Sequence, residues 1–137
     1  MALVECGHRV GCDVVVVANF QADVDRFGEA FIRRVFTARE LESCRGASRY
    51  PRLAARFAAK EAVAKVLRPH ATEALSWTDI EVLRAPWGGV EVELYRTAAD
   101  LARRQRLSTF DVSISHEETI AFAVVSAHAS NGVGGGD

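Results

Sequence analysis

The chain is organised around one stretch, Arg56-Phe57-Ala58-Ala59-Lys60-Glu61-Ala62-Val63-Ala64-Lys65. Because alanine is the strongest helix former, this stretch predicts a helix. At about 100° per residue, Glu61 and Lys65 point roughly the same way, while Ala59, a small residue, points away from both. A helix that is apolar on most sides is usually buried. We therefore expect it to run through the core.

Glu61 is the carboxylate of this helix, and its burial without a partner would cost several kcal/mol. Two kinds of partner fit the pattern. Lys65, four residues further on, would form an ion pair worth about 0.3–0.5 kcal/mol when solvated. A metal ion would neutralise the carboxylate more strongly. The stretch alone leaves both possibilities open.

A second acid stands out near the N-terminus. Asp13 precedes a run of valines, residues 14–17, that is typical of a buried strand. Aspartate is unfavourable in strands and costly to bury. A turn at the start of the strand, with Gly11 supplying the bend, would explain it without any function.

Length and composition indicate a single domain. The 137 residues are 49% hydrophobic and 26% charged, as in ordinary soluble proteins. We predict one domain over residues 1–128 and a flexible glycine-rich tail over residues 129–137. No apolar run has membrane-spanning length and no targeting segment is visible, which predicts a cytoplasmic protein. The three cysteines, Cys6, Cys12 and Cys44, lack CxxC spacing and indicate neither disulfides nor zinc.

The net charge of −1 hides a strong asymmetry. Residues 33–68 contain ten basic and three acidic residues, a local net charge of +7. Such a segment favours an anionic partner. No nucleic-acid motif or aromatic interleaving accompanies it, so a small polyphosphate or an acidic protein fits better than nucleic acid. A non-catalytic module that binds a nucleotide or an acidic protein through this segment is one possible function.

Periodicity and turn signals predict an α+β fold with a mainly antiparallel sheet and one long central helix. Thr37 and Glu40 form a capping-box pattern that starts a short helix. The predicted helices cover residues 20–35, 38–44, 51–67 and 97–105, and the predicted strands cover residues 10–17, 78–83, 90–94, 110–116 and 119–125.

Three segments together resemble a known family. They are Gly11-Cys12-Asp13, the stretch from Arg56 to Ala62 with Lys65, and Val112-Ser113-Ile114-Ser115-His116-Glu117. The family is the holo-[acyl-carrier-protein] synthases, the small 4′-phosphopantetheinyl transferases. Residues 36–41 and 77–82 also resemble its connecting segments in the family's order, and the likeness covers most of residues 9–126.

This resemblance implies transfer of the phosphopantetheine arm of coenzyme A to a serine hydroxyl of an apo-acyl-carrier protein, with release of adenosine 3′,5′-bisphosphate. It implies Asp13 and Glu61 as ligands of Mg²⁺, with Mn²⁺ as an alternative. Such a cation suits a reaction that builds negative charge on phosphate. The two acids that looked misplaced thus share one explanation. The carrier could belong to fatty-acid, polyketide or peptide synthesis.

The resemblance also implies roles for other residues. Glu61 and Lys65 would be catalytic, with Lys65 on the pyrophosphate, and Glu61, directly or through water, is our hypothesis for the base. The residues implied to bind substrate are Lys65, His116, Arg56, Lys60, Arg68 and Ser115. Lys60 points about 100° away from Glu61 and is either a nucleotide ligand or a solvated lysine. His116 is either a nucleotide ligand or a structural histidine.

Family members are homotrimers with sites between protomers, and they dock an acidic carrier on a basic helix. Arg26, Arg33 and Arg34 would form that docking surface here. The sequence also departs from the family pattern. Asn19 replaces a basic residue, and residues 68–71 replace a glycine-containing phosphate loop, so that Arg68 or His70 would hold the 3′-phosphate by charge.

Overall fold

The structure is a computed structural model and describes residues 6–130. The elements are β1 (Cys6–Val16), α1 (Val17–Val35), α2 (Ala38–Ser43), α3 (Arg49–Leu67), β2 (Ile80–Arg84), β3 (Val90–Leu94), α4 (Arg96–Arg104), β4 (Leu107–His116) and β5 (Ile120–Ser130). A short 3₁₀ turn, Trp77–Asp79, leads into β2. Every predicted element is present in the predicted order, and the α+β class is confirmed.

The main sheet is antiparallel with the strand order β1-β5-β4, and β2 pairs with β3 in a separate hairpin. Helix α3, the predicted central helix, packs across one face of the main sheet, here called the inner face. Side chains alternate along a strand, so every second residue of β5 points toward α3. Those residues are fully buried: Ala121, Ala123, Val125 and Ala127. Asp13 of β1 pairs with Ala123 and therefore lies on the inner face.

Strand β1 touches α3 at Gly11. A Cβ atom built there would lie 2.3 Å from the carbonyl oxygen of Ala62. The α3 residue at this contact, Ala62, has a small side chain, which lets the two backbones meet. Because Asp13 follows Gly11 by two residues on the same face, this approach sets Asp13 beside the helical turn that carries Glu61.

We expect Gly11→Ala to destabilise the protein because the new methyl group meets backbone rather than a side chain that could move away. Overpacking of this kind costs about 1–3 kcal/mol of unfolding free energy. Gly7→Ala is the matched control in the same strand, since its nearest neighbour would be 3.9 Å away. Urea denaturation of both variants measures the difference, and equal stabilities would contradict the close contact at Gly11.

Lys60 lies in the core, which corrects both expectations for it. Its Nζ donates hydrogen bonds to Glu40 Oε1 at 2.7 Å and to the carbonyl oxygens of Trp77 at 3.0 Å and Ile80 at 2.6 Å. Both charged side chains are 0% exposed. Burial lowers the pKa of Lys60, and Glu40 opposes that shift. A fully buried ammonium with three partners is neither solvated nor able to touch a bound nucleotide.

Glu40 has a larger role than the predicted capping box. The box is present, with Thr37 N–H donating to Glu40 Oε1 at 2.8 Å and Glu40 N–H donating to Thr37 Oγ1 at 3.2 Å. Its other oxygen, Oε2, accepts from the N–H of Val82 at 2.9 Å. One carboxylate thus joins the start of α2 to α3 and to β2.

Several boundaries differ from the prediction: β1 begins at Cys6 and not at residue 10, α1 begins at Val17 and not at residue 20, and β4 begins at Leu107 and not at residue 110. Strand β5 continues to Ser130, so residues 129 and 130 belong to the sheet and not to a tail. The rest of the predicted tail, residues 131–137, lies outside the described residues. Helix α1 is interrupted at Gly28, whose φ of 70° and ψ of −155° are not helical. Glycine adopts such a positive φ without the steric cost that other residues bear.

The face of the main sheet turned away from α3, here called the outer face, is apolar and exposed. Its large exposed side chains are Val10, Val14, Val16, Ile120 and Phe122, with exposed fractions from 39% to 69%. They lie next to one another across β1 and β5, because Val14 pairs with Phe122 and Val16 with Ile120. Adjacent exposed apolar side chains are common on surfaces that contact another protein.

Cys12 and Cys44 are free thiols. Within residues 6–130, no helix has the length and apolarity that crossing a bilayer requires.

Candidate active site

Asp13, Glu61 and Lys65 lie together on one side of α3, and we call them the carboxylate cluster. Lys65 Nζ lies 3.1 Å from Asp13 Oδ1 and donates a hydrogen bond to the carbonyl oxygen of Cys12 at 2.8 Å. The ion pair of Lys65 is therefore with Asp13. The Glu61–Lys65 pair considered from the sequence is not among the ion pairs of the described residues.

The negative charge of the carboxylate cluster is only partly neutralised by Lys65. Asp13 Oδ2 is buried and has no hydrogen-bond partner among the described residues. Burial, followed by the neighbouring Asp13 carboxyl group through hydrogen bonding and then charge, raises the pKa of Glu61 to about 7, although Lys65 opposes the shift. Two carboxylates held together with one lysine at their edge leave charge that a further cation would neutralise.

The donor set fits Mg²⁺. This ion takes one or two carboxylates and completes its shell with waters and phosphate oxygens. Within the described part of the chain, no group of three or more His, Cys, Asp or Glu side chains could enclose a metal. Two hard oxygen donors, one of them with a buried free oxygen, suit an ion that shares its remaining positions with a phosphate substrate.

The raised pKa of Glu61 predicts how stability depends on pH. The pKa in the folded protein, about 7, lies above the ordinary value of 4.5. The folded state therefore binds this proton more tightly, and its stabilisation is lost as pH rises from 4.5 toward and through 7. In the metal-free protein, we expect the unfolding free energy of wild type to fall over this range relative to Glu61→Gln. Urea denaturation at several pH values in EDTA tests this, and parallel pH profiles would contradict it.

A second set of residues lines a cavity of about 280 Å³, which we call the arginine pocket. Helix α3 contributes Arg52 and Arg56, the end of β2 contributes Arg84, and β4 contributes His116. The complete lining is Arg52, Arg56, Arg84, Trp87, Gly88, Gly89, Val90, Val112, Ser113, Ile114 and His116. Arg56 is only 4% exposed, and its Nε is buried without a partner among the described residues. Arg56 Nη1 donates to the carbonyl oxygen of Arg52 at 3.4 Å, so Nε is the donor that lacks a partner, and an unpaired donor on a guanidinium suits an anionic ligand.

Two of the predicted substrate residues lie outside this pocket. Arg68 ends α3 in the left-handed conformation (φ 49°, ψ 58°), about 18 Å along the helix from Arg56. Ser115 pairs with Phe122 and so points to the outer face, whereas its neighbour His116 points inward. The pocket therefore unites Arg56 and His116 but not Arg68, Ser115 or the buried Lys60.

Sequence reasoning missed Arg52, Arg84 and Trp87. Arg52 could have been found from the helix period, because it precedes Arg56 by four residues and shares its face. Arg84 and Trp87 come from the β2–β3 hairpin, and only tertiary packing brings that hairpin to α3.

The carboxylate cluster and the arginine pocket lie on opposite sides of α3. Arg52 and Arg56 are about 140–180° around the helix axis from Glu61 and Lys65. The sheet repeats this separation, since β5 lies between β1, which carries Asp13, and β4, which carries His116. Within one chain, the predicted catalytic and nucleotide-binding residues therefore form two separate sites.

The three arginines proposed for docking are exposed on α1, Arg26 before the break at Gly28 and Arg33 and Arg34 after it. The guanidinium of Arg26 lies 5.1 Å from the centre of the Phe27 ring, which is itself 54% exposed. This part of α1 therefore offers both positive charge and an aromatic surface.

Known proteins are similar to this chain in sequence and in fold. The sequence profile of the 4′-phosphopantetheinyl transferase superfamily matches residues 9–124. A holo-[acyl-carrier-protein] synthase of Dehalococcoides mccartyi is 42% identical over 117 residues, covering 85% of this chain and 95% of that protein. One from Frankia alni is 42% identical over 120 residues, covering 88% and 96%.

Solved structures agree with these relatives. A Chronobacterium ammoniagenes ACPS–CoA complex has a TM-score of 0.81 at 30% identity, covering 91% of this chain and 99% of that one. The Helicobacter pylori holo-[acyl-carrier-protein] synthase in complex with coenzyme A has a TM-score of 0.74 at 28% identity, covering 85% and 97%.

The chain therefore belongs to the 4′-phosphopantetheinyl transferase superfamily. Its curated relatives and structural neighbours are holo-[acyl-carrier-protein] synthases, and the resemblance drawn from the three sequence motifs is confirmed.

Proposed function

We propose that this chain is a Mg²⁺-dependent holo-[acyl-carrier-protein] synthase. Its family membership supplies the reaction: the 4′-phosphopantetheine arm of coenzyme A moves to a serine hydroxyl of an apo-acyl-carrier protein, and adenosine 3′,5′-bisphosphate leaves. The observation that supports the metal most directly is the buried, unpartnered Oδ2 of Asp13 beside Glu61.

Asp13 and Glu61 would hold the cation. When bound, it would offset the negative charge that develops on the pyrophosphate as the bond to phosphorus breaks. Lys65 is the protein's own positive charge at this place, and we assign it to the pyrophosphate oxygens. Its side chain is 58% exposed, so it is free to turn from Asp13 toward a substrate. We propose the Glu61 carboxylate, directly or through a water molecule, as acceptor of the serine proton.

The arginine pocket is the proposed site for the nucleotide half of coenzyme A. Arg56 and His116 were expected there, and Arg52 and Arg84 add positive charge to the same lining. Guanidinium groups match phosphate oxygens in charge and geometry. We exclude Lys60 from this role, since its ammonium is buried against Glu40.

We infer that the complete site forms between copies of the chain in a homotrimer. Coenzyme A joins its nucleotide to its arm through a pyrophosphate, so one molecule must reach both the arginine pocket and the carboxylate cluster. These lie on opposite sides of α3 in one chain, and the outer face supplies an exposed apolar surface on which copies could associate. A neighbouring copy would bring its arginine pocket to the carboxylate cluster.

Complementation between inactive variants tests the shared site. Glu61→Gln disables the carboxylate cluster, and Arg56→Ala with His116→Ala disables the arginine pocket. When the two inactive chains are mixed, unfolded and refolded together, we expect transfer activity to return, because some interfaces then combine two intact halves. If the site were contained within one chain, mixing would restore no activity. A sedimentation experiment that showed the wild type to be a monomer would also contradict the shared site.

The carrier protein is the proposed partner of α1. Arg26, Arg33 and Arg34 would steer an acidic carrier toward the site, and Phe27 would add apolar contact. The cytoplasmic location and the pathway of the carrier stay predictions from the sequence.

Mass spectrometry of the carrier tests the function. We expect an apo-carrier incubated with the protein, coenzyme A and Mg²⁺ to gain the mass of one phosphopantetheine arm, and EDTA to abolish the gain until Mg²⁺ or Mn²⁺ is restored. No gain in the presence of metal would favour a binding module instead, whose affinity for the carrier would fall with salt and ignore divalent ions. A full gain of mass in EDTA would support the transfer reaction but contradict its dependence on metal.

A further inference from the structure

Two histidines lie side by side on the outer face of the main sheet. His8 of β1 pairs directly with His128 of β5, near the end of the sheet that is remote from Ile120 and Phe122. Each histidine is an even number of residues from an exposed side chain of its own strand, Val10 or Phe122, so both imidazoles lie on that face. The carboxylate cluster lies on the inner face, and neither histidine takes part in the proposed reaction.

The two imidazole rings are close enough to share a metal ion. Their centroids are 5.4 Å apart and their planes are inclined at 67°. Directly opposed residues of an antiparallel pair have Cβ atoms about 4.5–5.5 Å apart, so the backbone itself brings the rings together. When two imidazoles bind one ion through bonds of about 2.1 Å, at angles between a right angle and a tetrahedral one, their ring centres lie about 4.5–5.5 Å apart. The observed separation therefore suits a shared ion.

The backbone that carries the pair is held by the sheet. Strand β5 is the central strand, and His128 lies between His8 on one side and Ser108 of β4 on the other. The β1–β5 ladder continues past the pair to Cys6 and Ser130. His8 is exposed and His128 is half-buried, so an ion in solvent can reach both. Only rotation of the side chains is needed to close on such an ion, which limits the entropy lost on binding.

We propose that His8 and His128 form a two-histidine site for a transition-metal ion, separate from the carboxylate cluster. Imidazole nitrogen is a good ligand for Zn²⁺, Ni²⁺ and Cu²⁺, whereas Mg²⁺ prefers oxygen donors. Within residues 6–130, no group of three or more His, Cys, Asp or Glu side chains could hold a metal, so water completes the coordination shell. Asp111, which pairs with Ser126 on the same face, adds negative charge near His128. The site goes beyond the proposed function and does not depend on it.

Calorimetric titration with Ni²⁺ tests the site in the whole protein. Excess Mg²⁺ is present throughout, to limit binding of Ni²⁺ at the carboxylate cluster. We expect His8→Ala and His128→Ala each to weaken the tightest Ni²⁺ binding about a hundredfold, because each ring raises the effective concentration of the other. His70→Ala removes an exposed histidine from the loop after α3 and should bind Ni²⁺ as the wild type does. Wild-type affinity in either His8→Ala or His128→Ala would overturn the proposal, since the ion would then be held without that ring.

Stability gives a second readout of the same site. The two histidines lie near opposite ends of the described chain, so only the folded protein holds both rings together. A ligand that binds the folded state alone stabilises it, and excess Ni²⁺ should therefore raise the urea midpoint of the wild type. His8→Ala and His128→Ala should gain far less, and an equal gain in either variant would overturn the proposal. Neither readout involves transfer of phosphopantetheine, so failure of the proposed function would be distinguished from failure of this site.

Discussion

Glu61→Gln is expected to reduce kcat/KM for phosphopantetheine transfer at least about a thousandfold. A metal contributes several kcal/mol to stabilising a phosphoryl transition state, and each ~1.4 kcal/mol is a factor of ten in rate. The glutamine keeps the shape of the side chain but removes the charge. Asp13→Asn should have an effect of similar size, because it removes the second charged donor. Mass spectrometry of the carrier over a time course measures both variants.

The controls for this experiment concern folding and metal. Glu42→Gln changes an exposed acid that pairs with Arg45 on the surface, and its activity should match wild type. Calorimetric titration with Mg²⁺ in the presence of adenosine 3′,5′-bisphosphate should show binding by wild type and much weaker binding by Glu61→Gln. Full activity with Mg²⁺ in either acid variant would show that the metal ligands are assigned wrongly.

Lys60→Met is expected to have the largest effect on stability. Removing one partner of a buried ion pair leaves the other charge uncompensated, which costs about 3–5 kcal/mol. In this variant the charge left without a partner is that of Glu40, whose side chain is 0% exposed. Since folded domains are stable by only about 5–15 kcal/mol, the variant should be close to unfolding at ordinary temperature. Urea denaturation monitored by circular dichroism gives the difference.

A double-mutant cycle distinguishes the ion pair from simple loss of packing. Lys60→Met with Glu40→Gln removes both charges, and we expect it to be less destabilised than the sum of the two single variants. Arg45→Met breaks the exposed pair with Glu42 and should cost less than about 1 kcal/mol. A loss of less than about 1 kcal/mol in Lys60→Met would mean that the Lys60–Glu40 pair is not formed.

The elements, and the two acids that we propose as metal ligands, could be identified from local signals. Capping at Thr37, the glycines of the β2–β3 turn and alternation in β3 each depend on neighbours in sequence, so they could be predicted from it. Asp13 and Glu61 were conspicuous because each was the wrong residue for its expected surroundings. The structure brings them together, as the shared explanation required.

Lys60 and the arginine pocket could not be predicted in the same way. The burial of Lys60 depends on Glu40 and on two carbonyl groups, all about 20 residues away in sequence. Contacts at that separation cannot be predicted from a local sequence pattern. Arg84 reaches the pocket because a hairpin folds over α3. The opposite placement of Arg56 and Glu61 was available from the helix period, since five residues turn the helix by about 140°. That angle places Arg56 and Glu61 on opposite sides of α3, which is the basis for proposing a site shared between chains.

The opposite faces of α3 have a consequence for how the rate scales with the amount of protein. If each working site combines two chains, the activity per molecule of enzyme falls on dilution because the assembly dissociates. The reaction order in enzyme then rises above one near the dissociation constant of the assembly. A compound that binds the apolar outer face and prevents association would then inhibit the enzyme without competing with coenzyme A. Increasing the substrate concentration would not overcome such an inhibitor.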